Sequence, residues 1–151
     1  MKNTIIYLLL ALFAISGCKK YDEGPAISLR SKEKRLCQEW KLDKYLVNGE
    51  DFDYFEEQIW TFDKNGTLKV YINYGTYDEE AEFEWKWANK KEDIEIFSLA
   101  TKDKSFPVVF QGYKNVAEEN RITVQIKKLK FDEFVLENTE EGETIRFEFV
   151  K

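Results

Sequence analysis

From about residue 40 to the C-terminus, apolar and polar side chains alternate with a period of two. At 82–87, aromatic residues take every second position and charged residues take the positions between them. The same alternation recurs at 68–74, 122–127 and 145–149. Successive side chains of a strand point to opposite faces, so this pattern is typical of strands with one face in a core. The sequence therefore predicts an all-β domain.

Turn-forming residues separate the alternating segments at short intervals, for example at Asn48-Gly49, Asn65-Gly66 and Glu141-Gly142. These intervals leave no room for the long crossovers that parallel strands need, which favours an antiparallel meander. Because an open sheet would expose two unpaired edges, we predict closure into an up-and-down barrel of about eight strands. The predicted strands are 40–47, 57–63, 67–74, 80–88, 93–98, 106–113, 121–130, and 134–150 as a hairpin that can add a ninth.

The N-terminal residues 1–17 have the pattern of a signal peptide, with Lys2 followed by an apolar run. A run of roughly 11 apolar residues is shorter than the about 20 that a membrane-spanning helix needs. Ala14-Ile15-Ser16-Gly17-Cys18 resembles the lipobox of bacterial lipoproteins, in which the cysteine receives lipid and the chain is cleaved before it. We therefore expect Cys18 to become the lipidated first residue and to anchor the protein to a membrane.

Residues 18–35 show little hydrophobic patterning and are predicted to form a flexible tether, with the domain proper at 36–151. Within 31–39 we expect a short helix or turn that Ser31 caps. Lys19 is not the aspartate that retains lipoproteins at the inner membrane, and Asp22-Glu23 resembles the acidic export signals of Bacteroidota-type lipoproteins. We therefore expect an outer-membrane location, on the periplasmic or the cell-surface face.

The composition argues against several classes of function. A formal charge of -6, with both signs interspersed, disfavours nucleic-acid binding. The chain has no histidine, which removes His-assisted nucleophiles and the commonest metal ligand. With Cys18 lipidated, Cys37 has no partner for a disulfide, and we interpret it as a small buried apolar residue. We predict no enzyme activity, no metal and no cofactor.

Short motifs along the expected mature chain resemble the lipocalin-like lipoproteins of Bacteroidota-type bacteria. The resemblance implies a small antiparallel barrel. One departure is Gln38-Glu39-Trp40, which lacks the glycine of the usual Gly-x-Trp, so no lipocalin ligand specificity is carried over. The motifs are Lys20-Tyr21, Glu23-Gly24-Pro25, the segment 27–32, Arg35-Leu36, Trp40-Lys41-Leu42, Trp60-Thr61-Phe62, Asn65-Gly66-Thr67-Leu68 and the segment 122–136.

Aromatic residues on the expected inner face are the candidate site. They can line a cavity for one small apolar or aromatic-stacking ligand, since an eight-stranded barrel is just wide enough to hold one. Alternatively they fill the barrel as its core, as is common in small barrels. The candidate residues are Trp60, Phe62, Phe83, Trp85, Trp87 and Phe110.

Two further groups of residues have simpler interpretations. Tyr71, Tyr74 and Tyr77, with Asn73, resemble a platform for stacking sugar rings, but tyrosines are ordinary on half-exposed strands. The acidic groups have no EF-hand spacing and are expected to lie in solvated loops. They comprise Asp51, Asp53, Glu56 and Glu57, and Asp78, Glu79 and Glu80.

The sequence therefore predicts a cell-envelope lipoprotein that binds a small hydrophobic ligand without catalysis. The alternative is a structural or protein-interaction module, such as an envelope assembly factor or an inhibitor. In that alternative the barrel is filled and its loops contact an envelope protein.

Overall fold

The computed structural model describes residues 21–23, 30–52, 57–98, 121–140 and 142–151. Within these residues, no helix has the length and the apolar character that crossing a membrane requires. The helical elements are a short α-helix, α1 (Lys32–Leu36), and a 3₁₀ turn (Asn89–Lys91). The strands are β1 (Glu39–Val47), β2 (Glu50–Asp51), β3 (Gln58–Phe62), β4 (Thr67–Asn73), β5 (Asp78–Ala88), β6 (Asp93–Ser98), β7 (Arg121–Leu129), β8 (Glu133–Glu140) and β9 (Glu143–Val150).

Eight antiparallel strands, β1 and β3 to β9, form a closed up-and-down barrel, which confirms the predicted architecture. The barrel closes where β9 pairs along most of β1, from Lys41 opposite Val150 to Val47 opposite Ile145. The short strand β2 is an addition that pairs with the end of β1.

One detail of the predicted strand order needs correction. The described strands β6 and β7 pair directly, with Ile94 opposite Val124 and Ile96 opposite Ile122. The predicted strand at 106–113 lies outside the described residues, and the barrel closes without a strand between β6 and β7. The hairpin predicted at 134–150 supplies two barrel strands, β8 and β9, and so completes the count.

The core lies inside the barrel and follows the period-two pattern. In β4, Leu68, Val70 and Ile72 are buried while Lys69 between them is exposed. The largest side chains that are almost wholly buried are aromatic and come from four neighbouring strands, β8, β9, β1 and β3. They are Trp40, Trp60, Phe62, Phe134, Phe147 and Phe149.

The connections of the meander alternate between the two ends of the barrel. One end, which we call the helix end, carries α1 and the turns 63–66, 89–92 and 130–132. At the other, the loop end, the described residues of the connections are 48–52, 57, 74–77 and 142. Residues 31–38 cover the helix end, where Leu36 is fully buried and accepts a hydrogen bond from Trp40 Nε1 at 2.9 Å. Ser31 Oγ accepts from the backbone N–H of Lys34 at 3.2 Å, which confirms the predicted cap.

The turn at 63–66 depends on a glycine. Gly66 has a φ of 91°, and a Cβ at this position would lie 3.1 Å from the carbonyl oxygen of Trp85. We expect Gly66→Ala to lower the free energy of unfolding by about 1–3 kcal/mol, measured by urea denaturation. Gly142→Ala is a matched control, because Gly142 has a φ of 88° but nothing within 4 Å of its Cβ position. Equal losses in the two variants would contradict a role for the Trp85 contact.

Candidate functional site

The structure places five of the six predicted aromatic site residues on the inner face of β3 and β5. Trp60 and Phe62 on β3 are fully buried, and Phe83 and Trp85 on β5 nearly so. Trp87, the next inward residue of β5, is only partly buried and packs against this core. Phe110 lies outside the described residues. The inner aromatic face predicted for these two strands is therefore present.

The rings of Trp60 and Phe62 contact other rings of the protein. The Trp60 ring centroid lies 5.0 Å from that of Phe149 and 5.7 Å from that of Phe147. Phe62 meets the edges of Trp85 at 5.6 Å and of Phe134 at 5.9 Å. Phe62, Phe134 and Phe149 belong to strand segments at the helix end, so this end of the interior is filled with aromatic side chains.

Toward the loop end, the inward side chains become aliphatic. Ile72 is near the end of β4, Ile122 and Ile145 are near the starts of β7 and β9, and all three are buried. Sites for small apolar molecules are lined mainly by apolar side chains such as these three. The rings of Tyr45 and Tyr74 are partly buried against the same core.

One polar side chain interrupts this lining. Gln58, the first residue of β3, is fully buried and lies opposite Ile72. Its Oε1 is 3.2 Å from Nε1 of Trp60. An indole N–H can only donate, so the amide oxygen must face Trp60 and the amide nitrogen must point elsewhere. That nitrogen has no hydrogen-bond partner among the described residues.

The Gln58 amide nitrogen is an unusual feature of the barrel interior. An unpaired buried donor costs about 1–3 kcal/mol, so buried polar groups are nearly always paired. Sequence analysis missed Gln58. Gln58 could have been found from sequence, because it is a polar residue at an inward position of the alternating segment Gln58-Ile59-Trp60-Thr61-Phe62.

The tyrosines of the predicted sugar platform are engaged with their own neighbours. Tyr74 and Tyr77 stack on each other with centroids 4.8 Å apart and planes inclined by 21°. Asn73 Oδ1 accepts a hydrogen bond from the backbone N–H of Gly75 at 2.7 Å. The stacking of the two rings and the hydrogen bond to the Asn73 amide oxygen thus stabilise the β4–β5 turn.

The acidic residues and Cys37 show no metal-binding arrangement in the described part of the chain. There, no three Asp, Glu or Cys side chains lie together as a metal site would require. Cys37 packs against the core, and burial raises the pKa of its thiol to about 11. A thiol with this pKa is protonated at neutral pH and is a poor nucleophile.

Part of the predicted tether packs on the barrel. Tyr21 is buried, and its hydroxyl donates to the carbonyl oxygen of Lys91 at 2.8 Å. The carboxylate of Glu23 accepts two hydrogen bonds from Arg146, at 2.8 and 2.7 Å, and these lower the pKa of Glu23. Glu23 also donates its backbone N–H to Lys127 O at 2.9 Å. A buried ring and a two-pronged ion pair thus join residues 21–23 to the barrel. The mobility expected of 18–35 stays a prediction.

Comparisons with known proteins agree on the fold. Neither a protein-family model nor a curated protein sequence matches the chain. A lipocalin-like protein from Bacteroides uniformis aligns with a TM-score of 0.53 and 17% identity, over 78% of this chain and 98% of that one. An uncharacterized protein from Bacteroides eggerthii aligns with a TM-score of 0.53 and 17% identity, over 75% and 98% of the two chains.

A third solved structure also shares the fold. Japanin from Rhipicephalus appendiculatus bound to cholesterol aligns with a TM-score of 0.50 and 12% identity, over 81% of this chain and 79% of that one. At such identities the likeness is one of fold. The chain has a lipocalin-like fold, as its short motifs predicted.

Proposed function

We propose that this protein is a non-catalytic binding protein of the bacterial cell envelope, which holds one small apolar ligand at the loop end of its barrel. The unpaired amide nitrogen of Gln58 is the observation that carries the proposal, because it is a buried donor on a strand whose neighbouring inward residues are apolar. The fold supports it, since Japanin, which shares this fold, has been solved with cholesterol bound.

The chemistry of the lining defines the class of ligand. The aliphatic side chains of Ile72, Ile122 and Ile145 favour a hydrocarbon body. The free N–H of Gln58 favours one hydrogen-bond acceptor on that body, such as a hydroxyl, carbonyl or carboxyl oxygen. The rings of Trp60 and Phe62 form the floor of the site. A fatty acid or a sterol has this combination of groups.

The envelope location is part of the same proposal. Its support is the sequence pattern before Cys18, which predicts cleavage there and lipid on the new N-terminus. At least two acyl chains are needed for stable anchoring, and a lipidated N-terminal cysteine carries that many or more. The outer membrane remains the favoured location because Lys19 replaces the retention aspartate.

A protein-interaction role is the second candidate, and exposed apolar side chains at the loop end favour it. Phe52 and Tyr77 are 52% and 62% exposed, and both lie in loop-end connections. The filled aromatic helix end also fits a barrel whose loops contact a partner. Binding of palmitate or cholesterol inside the barrel would favour the first candidate over this one.

Titration of tryptophan fluorescence with palmitate and with cholesterol tests the proposal. Trp60 contacts Gln58 directly, so a ligand that reaches this amide is expected to change the emission. We expect Gln58→Leu to weaken binding about tenfold, because a lost hydrogen bond and a mispaired ligand oxygen together amount to about 1.5 kcal/mol.

The matched control is Gln125→Leu, because Gln125 is an exposed glutamine on the outer face of β7. This variant is expected to bind as the wild type does. Wild-type emission that does not change up to the solubility limit of both compounds would contradict ligand binding. Equal affinities in wild type and Gln58→Leu would contradict the role of the amide.

A further inference from the structure

Charged side chains are distributed unequally between the two ends of the barrel. In the described cap and turns of the helix end, the acidic residues are Glu33, Asp63, Glu92 and Asp132. Arg30 and Lys151 add positive charge over the ring of Phe131. The other unburied basic residues of this cap and these turns are Lys32, Lys34, Lys64, Lys90, Lys91 and Lys130. The adjoining strand ends add Lys128, Glu39, Asp93 and Glu133. The described helix end thus carries nine unburied basic residues and seven acidic ones, an excess of two positive charges.

The loop end has the opposite character. Arg121 is its one described basic residue at a strand end, and the described connections add none. The acidic residues in these connections and strand ends are Glu50, Asp51, Glu57, Asp78, Glu79, Glu140 and Glu143. In a chain with a formal charge of -6, a basic end is a local departure from the average.

The backbone at the helix end presents two of these lysines on a strained turn. Asn89, Lys90 and Lys91 all have positive φ, between 43° and 68°. Left-handed residues other than glycine cost about 1–2 kcal/mol each. The ammonium of Lys91 lies 5.5 Å from the centroid of the Trp87 ring, a contact that offsets part of this cost. Tyr21 and Lys32 both donate to the Lys91 carbonyl oxygen, at 2.8 and 2.9 Å, and stabilise this turn.

The helix end also carries an exposed aromatic ring. Phe131 is 41% exposed, between the guanidinium of Arg30 at 4.1 Å and the ammonium of Lys151 at 3.8 Å. Aromatic rings beside cations are common at membrane interfaces, where the ring meets the headgroup region and the cations meet phosphate.

The position of the N-terminal segment shows which end lies near an anchor on Cys18. Tyr21 is fixed at the helix end by its hydrogen bond to Lys91. Two residues lie between Cys18 and Tyr21. A chain spans at most about 3.6 Å per residue, so the three steps from one Cα atom to the other cover at most about 11 Å. Lipid on Cys18 would therefore bring the helix end, and not the loop end, to the bilayer.

We propose that the basic helix end is a docking surface for anionic phospholipid, which holds the anchored barrel upright with its acidic loop end facing away from the bilayer. This inference rests on the proposed lipidation of Cys18. It explains why the segment 21–23 packs on the barrel, since a docked segment fixes the orientation that a mobile tether would leave free. It also places the candidate ligand entrance on the aqueous side.

The test uses the full lipidated protein reconstituted into two kinds of vesicle, one containing phosphatidylglycerol and one of phosphatidylcholine alone. An amine-reactive ester labels exposed lysines, and mass spectrometry gives the rate at each site. In the anionic vesicles we expect Lys34, Lys64 and Lys90 to react about fivefold more slowly than in the neutral ones. Lys44 and Lys69, exposed on the barrel wall, should react equally in both.

Salt and charge reversal make the test specific. At 1 M salt the Debye length falls to about 3 Å, so the protection should disappear. Replacing Lys34, Lys64 and Lys90 together with glutamate should abolish the protection of Lys91, whereas the matched wall variant Lys44→Glu/Lys69→Glu should retain it.

Two failures can be told apart. The mass of the mature N-terminus reports the acyl chains independently, and a Cys18 without them would remove both the anchor and this proposal. Acyl chains on Cys18 together with uniform lysine rates in the two vesicles would overturn the docking surface alone.

Discussion

Replacing Trp60 with alanine is expected to lower the free energy of unfolding by about 3–5 kcal/mol, the range for deleting a large buried aromatic side chain. Trp60 is fully buried, and its ring packs beside those of Phe147 and Phe149, which come from the last strand of the barrel. Deletion would leave a cavity next to strands that cannot move inward without breaking their pairing. Because the free energy of unfolding of a domain is about 5–15 kcal/mol in total, the variant should be close to unfolding.

Urea denaturation, followed by far-ultraviolet circular dichroism, measures this loss. The matched control is Tyr77→Ala, since Tyr77 is an aromatic residue of the same barrel but 62% exposed. The control should lose no more than about 1 kcal/mol, mainly its stacking with Tyr74. If the two variants lose similar amounts, the aromatic interior does not hold the barrel together.

Replacing Cys18 with alanine should move the protein from the membrane fraction to the soluble fraction. Each buried methylene of an acyl chain contributes about 0.8 kcal/mol to membrane binding, so losing the acyl chains removes the anchor outright. The basic helix end alone would leave at most a weak, salt-sensitive association. Fractionation of cells followed by immunoblotting measures the change.

Cys37→Ala is the control for this experiment, because Cys37 is the other cysteine of the chain and packs against the barrel core. It should remain wholly in the membrane fraction. A Cys18→Ala protein that still fractionates with membranes in high salt would rule out lipid on Cys18 as the anchor.

The barrel could be predicted from sequence because its core and surface alternate residue by residue. In β5, Phe83 and Trp85 point inward and are buried, while Glu82, Glu84 and Lys86 between them are exposed. This local pattern gives the face that each strand turns to the core. Every predicted strand that lies in the described residues has observed bounds within two residues of the prediction.

The pairing of strands is less accessible from sequence, because it depends on contacts between distant residues. An apolar segment at 106–113 looked like a barrel strand, yet β6 pairs directly with β7. The alternation within one segment does not determine which strand will pair with it. Both strands of the hairpin predicted at 134–150 belong to the barrel, whereas the sequence predicted the second of them only as an optional ninth strand.

The candidate site was predicted only in part, for a similar physical reason. The aromatic residues Trp60 and Phe62 were found because they follow the apolar period. The role of Gln58 depends instead on the missing hydrogen-bond partner of its amide nitrogen, which only the structure reveals. Tyr21 donates to a carbonyl 70 residues away, and Glu23 pairs with an arginine 123 residues away. Such contacts leave no local pattern in the chain.

The central claim is that the barrel holds one small apolar ligand beside Gln58. Native mass spectrometry of the protein purified from membranes in mild detergent, before and after extraction with organic solvent, tests it most directly. The account predicts one additional small molecule per chain, lost on extraction and present at lower occupancy in Gln58→Leu. A mass that equals the lipidated polypeptide alone, both before and after extraction, would contradict it.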